Sequence, residues 1–281
     1  MRPETKNQST RHTRARIACE ACCLSNSMPK LSSGFTLVEL IVVIGLITLL
    51  ALMIVPGFAR TEERNHRLAC LSNLRQMGRG SQMYAEDDSQ SQLTGSLAST
   101  PSSQQADDDL NWLHGFGTNF TPGYIQDVKT FCCPSTRNSV NTNNTQTAVV
   151  NGMLLTLLTD LKFRALGNTG TSGHSYEVFG NWLNSPTYTR KTLRNIHTYA
   201  HSRAPLQGVI AGPGQTFVVL DQVESHFPVW TKENYPNPYD GHGAEGANVV
   251  FADAHAEWIG KQDWNYRYEL SQDNGRQLTP Y

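Results

Sequence analysis

The sequence predicts an α+β protein in which one long N-terminal helix precedes a domain of antiparallel strands. Three observations predict it. Residues 35–58 form an apolar run that contains a single carboxylate, Glu39. Cys70, Leu74, Met77 and Tyr84 then share one narrow face at 3.6 residues per turn, with Leu71 beside them. The C-terminal third holds three short segments rich in β-branched and aromatic residues and bounded by turn formers. Helix first and strands afterwards is the segregation of an α+β fold.

Residues 1–34 carry Arg2, Lys6, Arg11, Arg14, Arg16 and Lys30 against Glu4 and Glu20, a balance of +4. The whole chain is −1, so the remainder is −5. Met28 offers an alternative start, which would leave Met-Pro-Lys-Leu-Ser-Ser-Gly ahead of Phe35. Cys19, Cys22 and Cys23 lie in this part, and no second ligand pair of metal-site spacing follows nearby.

The run 35–58 is long enough to cross a bilayer core of roughly 30 Å as a helix. Positive charge ahead of it keeps that end in the cytoplasm and sends the C-terminal bulk across the membrane. A secretory signal peptide has an apolar core of about 7–15 residues with its cleavage site after the core. Here the run is longer, and the small residue, Gly34, stands before it. A carboxylate at mid-membrane costs about 2.5–3.5 kcal/mol on insertion scales, so Glu39 needs a reason to be there. Pro56 removes a helical hydrogen bond and predicts a kink. The charged stretch 60–67 marks the membrane exit.

Residues 59–88 continue as an amphipathic helix, which Gly78 and Gly80 weaken by roughly 1 kcal/mol each. Residues 89–281 form the head. Its first part, 89–109, is polar and of low complexity and reads as a mobile surface loop. Residues 138–147 read as a second polar loop. Residues 148–163 have helical apolar spacing but also suit strand; too short for a second span, they pack within the head. Strands are expected at 216–221, 247–252 and 255–259, the last two joined tightly at Asp253-Ala254.

The stretch Gly34-Phe35-Thr36-Leu37-Val38-Glu39-Leu40 ahead of such a run resembles the type IV pilin and type II secretion pseudopilin signature. The resemblance implies a pilin-like fold, with a long helix laid across a small antiparallel sheet. It implies that prepilin peptidase cuts between Gly34 and Phe35, removes the leader 1–34 with its three cysteines, and methylates Phe35. It also implies that Glu39 meets the N-terminal amine of a neighbouring subunit in a fibre. Pairing in low dielectric would relieve the cost of the buried charge and mark the axial stagger. The plainer alternative is that Glu39 snorkels to the membrane surface. Pro56 also matches the pilin pattern. Residues 70–78 and 82–88 and the segment Phe131-Cys132-Cys133-Pro134-Ser135 resemble a planctomycete-type pilin-like subfamily with a C-terminal His-x9-Asp-Gly signature. The match there is divergent: ten residues separate His242 from Asp253, and Ala254 stands where the signature has Gly. If Asp253 opens a two-residue hairpin turn, Ala at its second position tolerates positive φ poorly.

Three cysteines, Cys70, Cys132 and Cys133, lie beyond the leader. A disulfide from Cys70 to Cys132 or Cys133 would close a loop of about 60 residues and stabilise by roughly 4 kcal/mol. The alternative is three buried thiols; the disulfide is favoured. His242, Asp253 and His255 offer a candidate metal site. Asp240, Glu245 and Asp253 are oxygen donors of the kind calcium takes, in a C-terminal position where secretion pseudopilins often bind it. The plainer reading, favoured here, is that Asp253 caps a turn and the two histidines pack on loops. His197 and His201 have zinc spacing but lack the protease glutamate. Gly212-Pro213-Gly214 is a turn, not a phosphate cradle, and no nucleophile elbow occurs.

The expected function is therefore structural rather than enzymatic, with no cofactor. The chain is expected to be a single-pass protein of the bacterial inner membrane, N-terminus cytoplasmic and head periplasmic. Its expected partners are prepilin peptidase, membrane lipid, the assembly machinery and other pilin or pseudopilin subunits, in a pseudopilus or type IV pilus-like fibre for secretion or surface function. Nucleic acid is not expected, because the remainder at −5 lacks the basic surplus that phosphate binding needs. The alternative is a membrane-tethered periplasmic module that binds polysaccharide, peptide or metal without polymerising, served by Trp230, Tyr235, Tyr239 and Trp264.

Overall fold

Helix α1 runs Leu37–Asp87, 51 residues. It belongs to a computed structural model that describes residues 34–95, 109–115, 123–150, 153–165, 172–182, 188–221 and 234–279; the side chains of 54–60, 150 and 153 lie outside that set. The leader, most of the loop 89–109 and Trp230 therefore fall outside the described residues, as does the side chain of Pro56 where the kink was expected. By its internal contacts the chain divides into Met1–Leu52 and Met53–Tyr281.

In the first unit the helix presents apolar side chains on every side. Leu40, Ile41, Val42, Val43 and Ile44 are consecutive, and each is at least 41% exposed. Consecutive residues sample all faces of a helix, so this is no one-sided amphipathic surface. Thr48 is absorbed locally, its Oγ1 donating to the Ile44 carbonyl at 2.7 Å. Among the described residues no helix is long and apolar enough to cross a membrane; the expected span at 35–58 runs into residues whose side chains lie outside the description.

The second unit is built on a four-stranded antiparallel sheet of β3 (Tyr176–Val178), β6 (Phe217–Asp221), β7 (Gly246–Phe251) and β8 (Ala256–Gly260), in that spatial order. Strand β7 shows why the sheet has two dry faces. Ala247, Val249 and Phe251 join one cluster, with Phe217, Leu220, Ile259, Trp264 and Tyr268. Val250 and Ala252 join the other, with Cys70, Leu74 and Met77 of α1. A register shift between Phe217 and Val219 lets Val218 and Val219 both face the α1 side. Asp221 and Asn248 are the buried polar residues on these two strands, and the Asn248 N–H donates to Asp221 Oδ2.

The three strands expected in the C-terminal third are β6, β7 and β8. That third also holds helix α4 (Trp264–Gln272), which was not expected. Its buried face is largely polar, with Asn265, Glu269, Ser271 and Gln272 all at 0% exposure, so the apolar period that announces a helix is weak. Residues 148–163 resolve into strand: β1 (Thr145–Val150) pairs with β2 (Met153–Leu158), followed by the single turn α3 (Thr159–Lys162). On β2, Leu155 and Leu157 are buried while Leu154 and Thr156 are exposed, a period of two. Strand β1 takes the end of the expected loop 138–147. The remaining elements are the short helix α2 (Asn111–His114) and the pair β4 (Asn181–Trp182) and β5 (Thr189–Arg190).

Two local expectations change. Gly78 and Gly80 lie inside an unbroken helix, and at Gly78 the helix packs closely on Val250 and Ala254. A Cβ at Gly78 would stand 2.5 Å from Val250 Cγ2 and 3.0 Å from Ala254 Cα. Between the paired residues Phe251 and His255, the β7–β8 hairpin loop spans three residues, 252–254, rather than two. The Ala254 N–H bonds to the Phe251 carbonyl, the Phe251 N–H bonds to the His255 carbonyl, and Ala254 takes φ 68°. This is the three-residue hairpin that ends on a left-handed residue, and alanine occupies the strained position.

Candidate functional site

Among the described residues, two places carry chemistry. The first is the helix start. Gly34, Phe35 and Thr36 precede α1 in non-helical backbone. Among the described residues, chain neighbours aside, no atom lies within 4 Å of where a Cβ on Gly34 would be, and Phe35 is 74% exposed. Thr36 and Glu39 form a reciprocal cap. The Thr36 N–H and Oγ1 donate to Glu39 Oε2 at 2.9 and 2.8 Å, and the Glu39 N–H donates back to Thr36 Oγ1 at 3.2 Å. This is a capping box, which satisfies donors that the first turn leaves free. The pattern Thr-x-x-Glu ahead of an apolar run signals it, and sequence reasoning passed over it in favour of an intersubunit role.

The second place is buried in the head, on the α1 side of the sheet. Four chain segments deliver Cys70, Cys133, Asp221 and His242 to one point. Cys70 comes from the buried stripe of α1, and Asp221 ends β6. Cys133 opens a turn through Pro134 and Ser135, closed by the Thr136 N–H to the Cys133 carbonyl at 2.9 Å. Proline suits the second position of such a turn. His242 sits in the turn Asp240–Gly243, closed at 3.0 Å. The Asp240 carboxylate pins the preceding turn by accepting from the Asn237 N–H and Nδ2 at 2.8 and 3.0 Å.

The contacts within this group are short. Cys70 Sγ donates to Asp221 Oδ1 at 2.6 Å. His242 Nε2 lies 3.3 Å from both Cys133 Sγ and Asp221 Oδ2. The Tyr176 hydroxyl meets Cys70 Sγ at 3.1 Å. On the far side of the imidazole, Nδ1 faces Glu63 Oε1 at 2.8 Å and Ser135 Oγ at 3.0 Å. Glu63 also receives Arg67 Nε at 3.0 Å, and the Arg67 guanidinium lies over Trp258 at 4.0 Å. Glu63 and Arg67, on the charged stretch of α1, thus pack against His242 and Trp258 of the head.

The electrostatics are polarised. Burial, helped by Cys133 and Asp221, pushes the Cys70 thiol well up. The hydrogen bond with Cys70 and then the His242 imidazole pull the Cys133 thiol down against its burial. Burial would lower His242, but hydrogen bonds to Asp221 and Cys133 outweigh it and push it up to about 11. Cys132 faces elsewhere, and burial lifts its thiol to about 11. All three cysteines are free thiols, and of the two candidates only Cys133 shares this group with Cys70.

The structure does not gather the donor set expected from the C-terminal segment. His242 is in the buried group, whereas Asp253 and His255 pair with each other at 2.5 Å on the exposed β7–β8 turn. Asp253 Oδ1 also accepts the His255 N–H at 3.1 Å, the turn-capping role. Asp240 is spent on Asn237, and Glu245 is exposed. Among the described residues, the His, Cys, Asp and Glu donors grouped closely enough to hold an ion are Cys70, Cys133, Asp221 and His242. His197 is exposed, while His201 is buried with its ring nitrogens on the carbonyls of Val209, Glu269 and Leu270. Of the aromatics named for a binding surface, Trp264 and Tyr235 are core residues and Tyr239 is 59% exposed.

Residues 29–55 match the family model described as the prokaryotic N-terminal methylation motif. No curated protein and no solved structure matches the chain. The motif supports a type IV pilin-like protein of the kind that prepilin peptidase processes.

Proposed function

We propose that this chain is a pilin-like structural subunit. Prepilin peptidase cuts it between Gly34 and Phe35 and methylates the new amine. The helix then leaves the inner membrane for a pseudopilus or type IV pilus-like fibre, with the head on the periplasmic or outer side. The observation that carries the reading is the methylation motif at 29–55, placed at the start of a helix that is apolar on all sides. Each such side chain gains about 1.5–3 kcal/mol when fully covered, so this surface favours lipid first and neighbouring helices afterwards. The exposure of Phe35 supports cleavage, and no catalytic role is assigned to the chain.

Glu39 serves both stages in this account. Before assembly the capping box holds it, which lowers the cost of a carboxylate at the edge of an apolar helix. In the fibre its remaining acceptor capacity receives a neighbour's Phe35 amine. The tethered binding module is less favoured, because Tyr235 and Trp264 are spent on the core.

Shearing the cells and probing the fibre and membrane fractions tests the proposal. The wild-type chain should appear in the fibre fraction. Gly34→Val should leave an uncut chain in the membrane and none in fibres. A wild-type chain found in the membrane fraction alone would favour the tethered module.

A further inference from the structure

We propose that Cys70, Cys133, Asp221 and His242 form a closed, four-coordinate zinc site that staples α1 to the sheet. All four residues are buried, with exposures of 0, 3, 4 and 6%. Their donor atoms lie within 4.8 Å of one another. A tetrahedral zinc with ordinary bond lengths to sulfur, nitrogen and oxygen needs donor separations of about 3.3–3.8 Å. The Cys133–His242 and His242–Asp221 edges are already 3.3 Å. The Cys70–Asp221 edge, at 2.6 Å, is tighter. Turning the Asp221 carboxylate about its broad χ2 torsion opens it.

The surroundings are those of a metal site. His242 has Nε2 toward the other donors and Nδ1 on Glu63 Oε1 at 2.8 Å, the carboxylate–histidine arrangement that orients a metal-binding imidazole. Asp221 Oδ2 is held by the Asn248 N–H at 3.2 Å. Two thiolates with an imidazole and a carboxylate suit zinc better than hard cations such as calcium or magnesium. Four protein ligands leave no open position, so the role is structural. The rival chemistry is a Cys70–Cys133 disulfide, which would use two of the four donors and leave Asp221 and His242 without sulfur partners. The inference does not depend on fibre assembly.

The test is the metal content of the full-length chain, purified with reductant and without a chelator or metal-affinity step. Mass spectrometry of the metals should find about one zinc per chain. Cys133→Ser and His242→Ala should abolish it, and Glu63→Ala should weaken zinc affinity by about 10–100-fold. Because the ligand variants can fail to fold, cobalt(II) substitution of the wild-type chain supplies a second readout. It should give the d–d bands of a tetrahedral site and a thiolate-to-cobalt charge-transfer band. Zinc-free wild-type protein, equal zinc in wild type and Cys133→Ser, a cobalt spectrum without thiolate charge transfer, or a mapped Cys70–Cys133 disulfide would each overturn the proposal.

Discussion

Glu39 accepts two hydrogen bonds from Thr36, and that local duty separates two explanations of why a carboxylate opens an apolar helix. A capping box works with glutamine as well as glutamate. Pairing with a neighbour's amine needs the charge. Glu39→Ala removes both and should cost about 1 kcal/mol at the helix start as well as fibre yield. Glu39→Gln should keep the cap, cleavage and membrane insertion yet still lose fibres. Wild-type fibre yield from Glu39→Gln would show that Glu39 only caps. Asp273 offers a parallel case in the head. Burial raises its pKa, but the Ser202 N–H at 2.8 Å, the Tyr199 and Ser202 hydroxyls at 2.7 Å and the Arg203 N–H at 3.0 Å outweigh that and hold it below the usual carboxylate range. A depressed folded pKa contributes stability above the unfolded value, about 3.9, and loses it as pH falls through the folded value. Asp273→Asn should therefore cost about 1–3 kcal/mol at pH 7. The gap to wild type should narrow steadily below about pH 4. Urea midpoints across that range measure it, and a gap that does not change with pH would contradict the assignment.

Helix α1 shows what periodicity reveals and what it hides. The stripe Cys70, Leu74 and Met77 was legible, because a buried helix face repeats every three to four residues, and all three are fully buried. The purpose of Gly78 was not legible, since helix propensity concerns the helix alone, whereas this glycine answers to Val250 and Ala254 across the interface. Propensity alone predicts that Gly78→Ala gains about 1 kcal/mol. The close approach to backbone predicts a loss of about 1–3 kcal/mol instead. A lowered thermal midpoint for Gly78→Ala would support the packing account, and a raised one would contradict it. The strands β6, β7 and β8 were legible from β-branched content and turn formers. Helix α4 was not, because Asn265, Glu269, Ser271 and Gln272 are buried alongside Trp264, Tyr268 and Leu270, which blurs the apolar period.

At the scale of the whole molecule, the two sites differ in how the sequence encodes them. The helix-start motif is contiguous, so residues 34–40 could be read directly and the match at 29–55 agrees with them. The buried group is assembled by the fold. Cys133 and His242 stand 109 residues apart, and Cys70 and Asp221 stand 151 apart. No spacing rule links such positions, and Asp221 reads only as the end of a strand. The cysteines were singled out, but as a disulfide pair, because chain order alone says nothing of the histidine and carboxylate beside them. In this account, processing and assembly belong to the N-terminal segment, and the head keeps its own polar centre. The central claim is that prepilin peptidase matures the chain. N-terminal mass spectrometry of the protein extracted from its native membrane tests that most directly. The account predicts a mature chain that begins at Phe35 and carries a methyl group on its amine. A chain that retains its leader, or one that begins after the apolar run, would contradict it.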